Sequence, residues 1–211
     1  MLDSIAEKLE WLGHDAFRIT AGGCTLYFDP FQLTGSPAAA DFILVSHEHY
    51  DHCSPEDIEK IRKPETVIIT ELQAAKKLQG NIVCLSPGQS RRAGPFSVAA
   101  VASYNTNKKF HPAANNWLGF IVTIDGVRIY HAGDTDIIPE MKDFKVDIAL
   151  LPVSGTYVMT ADEAARAARE MHPQLAIPMH FDSIVGSHDD AARFADLLRG
   201  KIPVIIPSRQ T

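Results

Sequence analysis

The sequence predicts an α/β (α+β) fold in which two mixed β-sheets lie face to face with helices packed outside them. Short runs rich in β-branched and aromatic residues recur through the first two-thirds of the chain. Helical patterns interrupt these runs without the regular alternation of strand and helix that a doubly wound parallel sheet or a barrel requires. No low-complexity linker divides the 211 residues, and 45% of them are hydrophobic, so we expect one domain over residues 1–211.

The predicted strands are short, and each ends at a turn or a polar residue. Asp125 and Gly126 form the hairpin turn between two of them. In chain order the predicted strands cover residues 17–19, 25–28, 42–45, 66–70, 81–85, 96–101, 120–124, 127–130, 175–179 and 204–206.

Four helices are predicted from apolar residues at helical spacing and from residues that satisfy free amides at the helix start. They cover residues 55–61, 71–78, 161–171 and 189–198. Ser54 precedes the first of them as a cap. The third begins after Thr160, which forms a capping box with Glu163.

Charge and targeting signals narrow the class of protein. The net charge of -6, with 26 acidic and 20 basic residues spread along the chain, argues against a nucleic-acid binder. The amino terminus lacks the pattern of a signal peptide, and no apolar run approaches the roughly 20 residues of a membrane span. Three widely spaced cysteines fit reduced thiols. We therefore expect a cytoplasmic protein without a nucleic-acid or membrane partner.

Three histidines and an aspartate follow the predicted strand at 42–45 within seven residues, Ser46 to His52. Side chains alternate along an extended segment, so His47 and His49 point the same way and can reach one metal ion. The adjacent Asp51 and His52 can fold in a turn toward a second ion. A polar loop with solvated histidines is a poor explanation for such a cluster, and the spacing predicts a two-metal site.

Four more segments accompany this His-x-His-x-Asp-His motif, and together they resemble the metallo-β-lactamase superfamily. These segments are Trp11-Leu12-Gly13-His14, Tyr27-Phe28-Asp29-Pro30, His131-Ala132-Gly133-Asp134-Thr135 and Ile177-Pro178-Met179-His180. The chain is most similar to the short single-domain branch that includes ascorbate-6-phosphate lactonase-like proteins. The resemblance implies a four-layer αββα sandwich with the metal ions at one edge of the two sheets.

The same resemblance implies roles for individual residues. His47 and His49 would bind the first metal ion. Asp51, His52 and His180 would bind the second, and Asp134 would bridge both. A bridging carboxylate keeps two cations close while lowering their mutual repulsion. Two divalent ions are expected, with zinc favoured and manganese or iron as alternatives.

One departure concerns the third histidine of the first metal ion. The corresponding segment, residues 102–107, contains no histidine. His111 is the favoured replacement, while an Asn105 oxygen or water remains open. A missing ligand would weaken the first site, and a mononuclear enzyme is then an alternative.

Several other residues receive smaller roles. Asp29 resembles the family's aspartate that hydrogen-bonds a ligand imidazole and fixes its tautomer. Tyr104, Lys108 and Lys109 are candidates for contact with an anionic substrate. Cys53 adjoins the cluster, but no base is dedicated to it, so we expect it to pack rather than to react.

These features predict a metal-dependent hydrolase in which Asp51 orients or deprotonates the attacking water. A small ester, lactone or phosphodiester-type substrate, anions included, fits the same constellation of groups. An iron-dependent oxidoreductase resembling sulfur dioxygenases is the alternative, and a nuclease ranks last. Loop composition does not name the substrate, and the oligomeric state stays open.

Overall fold

Two six-stranded sheets face each other in the computed structural model, which describes residues 1–210. The first sheet contains, in spatial order, β1 (Leu9–Gly13), β2 (Ala16–Ala21), β3 (Cys24–Phe28), β4 (Phe42–Leu44), β5 (Val67–Thr70) and β6 (Asn81–Cys84). β1 to β3 pair antiparallel, and β3 to β6 pair parallel.

The second sheet is also mixed. It contains β7 (Ser90–Ala93), β8 (Phe96–Ala102), β9 (Leu118–Ile124), β10 (Val127–His131), β11 (Ile148–Pro152) and β12 (Leu175–Met179). β7 to β10 pair antiparallel, whereas β10, β11 and β12 run parallel. The prediction of two mixed sheets is therefore confirmed.

Helices cover both outer faces, as the predicted four-layer sandwich requires. They are α1 (Leu2–Ala6), α2 (Pro55–Ile61), α3 (Leu72–Ala75), α4 (Ala161–Met171) and α5 (His188–Leu198), with 3-10 turns at Ala113–Asn115 and Pro139–Asp143. Ile58 and Ile61 of α2 pack on the first sheet beside Ile43 and Ile68. The α4 helix buries alanines that allow close approach to β11, and its predicted capping box is present.

The main core lies between the two sheets. Phe17 and Phe28 of the first sheet and Phe96, Phe120 and Tyr130 of the second belong to one buried cluster. Burying each aliphatic or aromatic side chain of this kind contributes about 1.5–3 kcal/mol. This core fixes the relative position of the two sheets, and thereby of the loops at their edges.

The structure departs from the predicted elements in a few places. β1, β7 and β11 were not predicted. β11 pairs with a strand on each side and is buried along its whole length, so it lacks the alternation that reveals half-buried strands. The strand predicted at 204–206 is wrong: only Val204 forms an isolated bridge, with Ala176, because Pro203 and Pro207 have no N–H to donate.

The helix predicted at 71–78 is shorter, Leu72–Ala75, with turns following it. Over residues 1–210, no helix combines the length and apolar character that a bilayer crossing demands.

Candidate metal centre

The polar segments singled out in the sequence meet at one edge of the two sheets. β3 and β4 run parallel, so Asp29 and His47, which follow them, lie at the same edge. β10 and β12 run parallel to β11 on either side of it, so Asp134 and His180 share an edge as well. Ligands in such sheets lie outside the carboxyl ends of the strands. The fold therefore gathers groups that are far apart in sequence.

One group of possible ligands consists of three imidazoles and a carboxylate. His47, His49, His111 and Asp134 each offer an atom within 4.8 Å of the others. His47 Nε2 lies 3.0 Å from His49 Nδ1, and His111 Nε2 lies 3.0 Å from Asp134 Oδ2. All four are buried except His49, which is half-buried. Imidazole-rich sites of this composition suit zinc.

A second group lies on the other side of Asp134. The Nε2 atoms of His52 and His180 are each 3.2 Å from Asp134 Oδ1. Asp51 Oδ2 is 3.7 Å from His52 Nε2 and 3.1 Å from His14 Nε2. The two oxygens of Asp134 thus face different groups, which is the position that a bridging carboxylate would occupy.

Hydrogen bonds behind the first-sheet histidines fix their tautomers. Ser46 donates through its backbone N–H to Asp29 Oδ1 at 2.7 Å and through its hydroxyl to Asp29 Oδ2 at 2.6 Å. His52 Nδ1 lies 2.8 Å from Asp29 Oδ2, and His47 Nδ1 lies 3.0 Å from the Ser46 hydroxyl. Both Nδ1 atoms therefore donate, and both Nε2 atoms are left free to ligate.

Asn105 orients the ring of His111 in the way that Asp29 and Ser46 orient those of His52 and His47. Its Oδ1 accepts from the His111 backbone N–H at 2.9 Å and lies 3.1 Å from His111 Nδ1. Its Nδ2 donates to the Tyr157 carbonyl. Of the three alternatives left open by the sequence, this geometry supports His111 as the possible ligand, with Asn105 orienting it. Ser154 contacts His180 Nδ1 at 2.8 Å in the same manner.

The cluster is an unusual concentration of buried polar atoms that lack hydrogen-bond partners among residues 1–210. Such atoms are normally satisfied. Those in the cluster are His14 Nδ1, both Asp15 carboxylate oxygens, His52 Nε2, His111 Nε2, Asp134 Oδ1 and His180 Nε2. The three Nε2 atoms of His52, His111 and His180 lie 3.0–3.2 Å from Asp134 oxygens, but not in the geometry of a hydrogen bond. Cations coordinated between them would satisfy these atoms, so the residues present fit a metal centre.

Charges within the cluster set the protonation states. Burial lowers the pKa of His47 well below its usual value, and the neighbouring His52 lowers it further. Burial opposes ionisation of Asp134, but His180 and His52 hold the pKa of this carboxyl well below its usual range. For His180, burial is outweighed by Asp134 and Asp15, which raise its pKa to about 9. A metal ion held by His180 Nε2 would take the place of the proton there.

Three further residues belong to this site: His14 lies in one of the segments that carry the family resemblance, whereas Asp15 and Trp117 received no role from the sequence. His14 and Asp15 follow β1 in the turn of a hairpin, and both are buried in the cluster. The Trp117 ring centroid lies 4.7 Å from those of His47 and His49, so it packs against both imidazoles. A hairpin turn gives no sequence signal that distinguishes Asp15 from an ordinary turn aspartate.

Other expectations have clear outcomes. Cys53 is buried, and burial raises the pKa of its thiol to about 12, which agrees with packing rather than reactivity. Lys108 pairs with the buried Asp136, and the Tyr104 hydroxyl donates to Glu140. Neither Lys108 nor Tyr104 lines the cavity described next.

A cavity of about 250 Å³ opens over the cluster. Its floor is formed by His49, Asp51, His111 and Asp134. Its rim is apolar and aromatic: Tyr50, Phe110, Tyr157 and Ile184. Tyr50, Phe110 and Ile184 are among the few large hydrophobic side chains that are exposed in the described part of the chain. Exposed apolar side chains grouped around a polar floor are typical of a ligand site.

Comparison with known proteins agrees with this architecture. The family model for the beta-lactamase superfamily domain matches residues 8–180. A UPF0173 metal-dependent hydrolase of Pyrococcus abyssi is 33% identical over 217 aligned positions, covering 94% of this chain and 95% of the relative. Its counterpart in Thermococcus kodakarensis is 34% identical with the same coverage. The crystal structure of a metal-dependent hydrolase of Parabacteroides distasonis superposes with a TM-score of 0.86 at 35% identity, covering 96% of this chain and 93% of that one.

Proposed function

Because the chain belongs to the metallo-β-lactamase superfamily, we propose that it is a metal-dependent hydrolase with a two-ion centre. The observation that carries this proposal is a set of buried imidazole and carboxylate atoms that converge without hydrogen-bond partners. For His52, His111 and His180 the unpartnered atom is Nε2, while Nδ1 contacts Asp29, Asn105 and Ser154 respectively. The proposed ligands are His47, His49, Asp51, His52, His111, Asp134 and His180.

Each ion has its own ligand set. His47, His49 and His111 would hold the first ion, and zinc is the metal that three imidazoles and a carboxylate favour. Asp51, His52 and His180 would hold the second. Asp134 would serve both, since its Oδ2 faces His111 and its Oδ1 faces His52 and His180. Manganese and iron are the alternatives to zinc.

Bound divalent ions would lower the pKa of a water molecule from 15.7 to about 7 and polarise the target oxygen. Asp51 orients the attacking water and accepts its proton. The Asp51 carboxylate suits this role because it lines the cavity and is only partly buried. Burial opposes its ionisation, but His52 and His14 lower its pKa to about 2, so the carboxylate is ionised at neutral pH and can accept a hydrogen bond from the water. His14 holds it in place from the side away from the cavity.

The cavity supports a neutral ester or lactone with an apolar substituent as the substrate class. The Phe110 and Tyr157 rings meet edge to face with centroids 4.7 Å apart, which gives the rim a fixed aromatic surface. No lysine or arginine occurs among the described residues that line the cavity. A phosphodiester carries a full negative charge, and in this cavity only the metal ions would compensate that charge.

Elemental analysis of the full chain, paired with hydrolysis assays, tests the proposal. We expect about two divalent ions per chain and faster hydrolysis of lactones and esters with alkyl substituents than of bis-p-nitrophenyl phosphate. Asp134→Asn, which keeps the size of the side chain but removes its charge, should lose both metal and activity. Asp147→Asn, at the opposite edge of the second sheet, serves as the matched control. Bound iron without any hydrolysis would contradict the proposal and favour the oxidoreductase.

A further inference from the structure

Asp15 is a carboxylate of the cluster that neither belongs to the ligand set above nor orients one of its members. It is completely buried, and neither of its oxygens has a hydrogen-bond partner among residues 1–210. By contrast, the buried Asp29 carboxylate accepts hydrogen bonds from Ser46 and His52. An ionised carboxylate buried without donors is strongly unfavourable unless a cation compensates it.

The position of Asp15 indicates where such a cation would lie. Asp15, His52, Asp134 and His180 each offer a ligand atom, and these atoms lie within 4.8 Å of one another. This span is compatible with donors placed about 2.0–2.6 Å from one ion. The Asp15 carboxylate lies 3.8 Å from His52 Nδ1, which is too long for a hydrogen bond. His52 Nδ1 is already committed to Asp29 at 2.8 Å.

We propose that Asp15 is an additional ligand of the second metal ion and makes that half of the centre an oxygen-rich site suited to a manganese-type ion. The proposal rests on the metal-dependent centre described above. Asp15 and Asp134 lie in one group with His52 and His180, so they supply two carboxylates beside two imidazoles. The first ion would be bound by three imidazoles and only one carboxylate. Carboxylates suit manganese and magnesium, whereas imidazoles suit zinc, so the two halves differ in metal preference.

Local backbone geometry explains how Asp15 reaches this place. His14, the preceding residue, has a left-handed backbone with φ of 51° and sits in the tight turn between β1 and β2. The backbone N–H of His180 donates to the His14 carbonyl at 3.2 Å, and the His131 ring contacts the Asp15 carbonyl at 2.8 Å. These contacts tie the hairpin turn to β10 and to the end of β12, so Asp15 is held at the cluster.

The test is a metal competition on the full chain. Protein freed of metal is incubated with equal amounts of Zn²⁺ and Mn²⁺, dialysed, and analysed for both elements, with Mn²⁺ followed by electron paramagnetic resonance. We expect about one of each ion per chain. Asp15→Asn should raise the Kd for Mn²⁺ by at least about tenfold, the scale found for outer ligand partners, and leave the Zn²⁺ equivalent in place. Asp147→Asn should retain both ions.

The outcomes separate this inference from the proposed function. If the wild-type chain binds two ions and Asp15→Asn binds them equally well, the role of Asp15 is refuted and the two-ion centre stands. Two zinc ions with no retained manganese in the wild type would refute the oxygen-rich assignment. A wild type that binds neither ion would overturn both proposals. If Asp15→Asn does not fold, a crystal structure of the Mn²⁺-loaded wild type decides: an Asp15 oxygen more than about 3.5 Å from the second ion contradicts ligation.

Discussion

The carboxylate of Asp29 offers the sharpest test of how the centre is organised. It accepts hydrogen bonds from the Ser46 backbone N–H at 2.7 Å, from the Ser46 hydroxyl at 2.6 Å and from His52 Nδ1 at 2.8 Å. Asp29→Asn preserves the size of the side chain but replaces one acceptor with an NH₂ donor. If the NH₂ takes the place of Oδ2, both His52 Nδ1 and the Ser46 hydroxyl face a donor and must reorient; if it takes the place of Oδ1, the Ser46 backbone N–H faces the donor.

The expected effect on metal binding follows from the tautomer of His52. If Nδ1 becomes the acceptor, the proton moves to Nε2, which is the atom that faces Asp134 and the second ion. Changes to such outer partners typically lower metal affinity about 10–100-fold, or about 1.4–2.7 kcal/mol. Folding stability should fall by about 1–3 kcal/mol as well, because a buried charged hydrogen bond is lost.

Titration of the metal-free variant against a chelating dye measures the affinity, and thermal unfolding measures the stability. Asp57→Asn is the matched control. The Asp57 carboxylate accepts from the backbone N–H groups of Gln32 and Leu33 and from Lys60, but it takes no part in the cluster. We expect the control to lose stability and to keep metal affinity. Wild-type affinity for both ions in Asp29→Asn would refute the tautomer argument.

Three further predictions concern other parts of the molecule. Asn105→Leu should release His111 and lower the bound metal toward one ion per chain, as counted by elemental analysis, whereas two retained ions would show that Asn105 does not orient His111. Burial would raise the pKa of Asp57, but Lys60 and nearby donors lower it overall, so its stabilisation is complete above the unfolded pKa of about 3.9 and is lost as the pH falls through the lower folded-state pKa. The gap in unfolding free energy between wild type and Asp57→Asn should therefore narrow as the pH falls below about 3.9, and a gap that stays constant there would contradict this. Iodoacetamide at pH 7.5 should label the exposed Cys84 and spare Cys53, as read by peptide mass spectrometry; equal labelling would disprove the protected thiol.

The sequence predicted the parts of the fold and site that have local signals. His47, His49 and His52 are separated by so few residues that their convergence follows from one loop, and the strand before them has a clear apolar pattern. β11 escaped prediction because a strand buried on both faces has no alternation. Asp15 escaped because its importance comes from packing: the hairpin turn that carries it meets β10 and the end of β12 only in the folded chain.

The hydrogen bonds that orient the proposed ligands explain why the metal centre lies between the two sheets rather than on one of them. His47 and His52 are oriented by Ser46 and Asp29 of the first sheet, whereas His111 and His180 are oriented by residues that follow strands of the second. Asp134 faces both sets. The ligand geometry therefore exists only when the two sheets are packed together, and the unfolded chain cannot reproduce it. Ions that bind only the folded state stabilise it by about 2.7 kcal/mol at a concentration of 100 Kd. Metal binding and the packing of the two sheets are consequently coupled, and a substitution in the inter-sheet core can weaken the centre without touching a ligand.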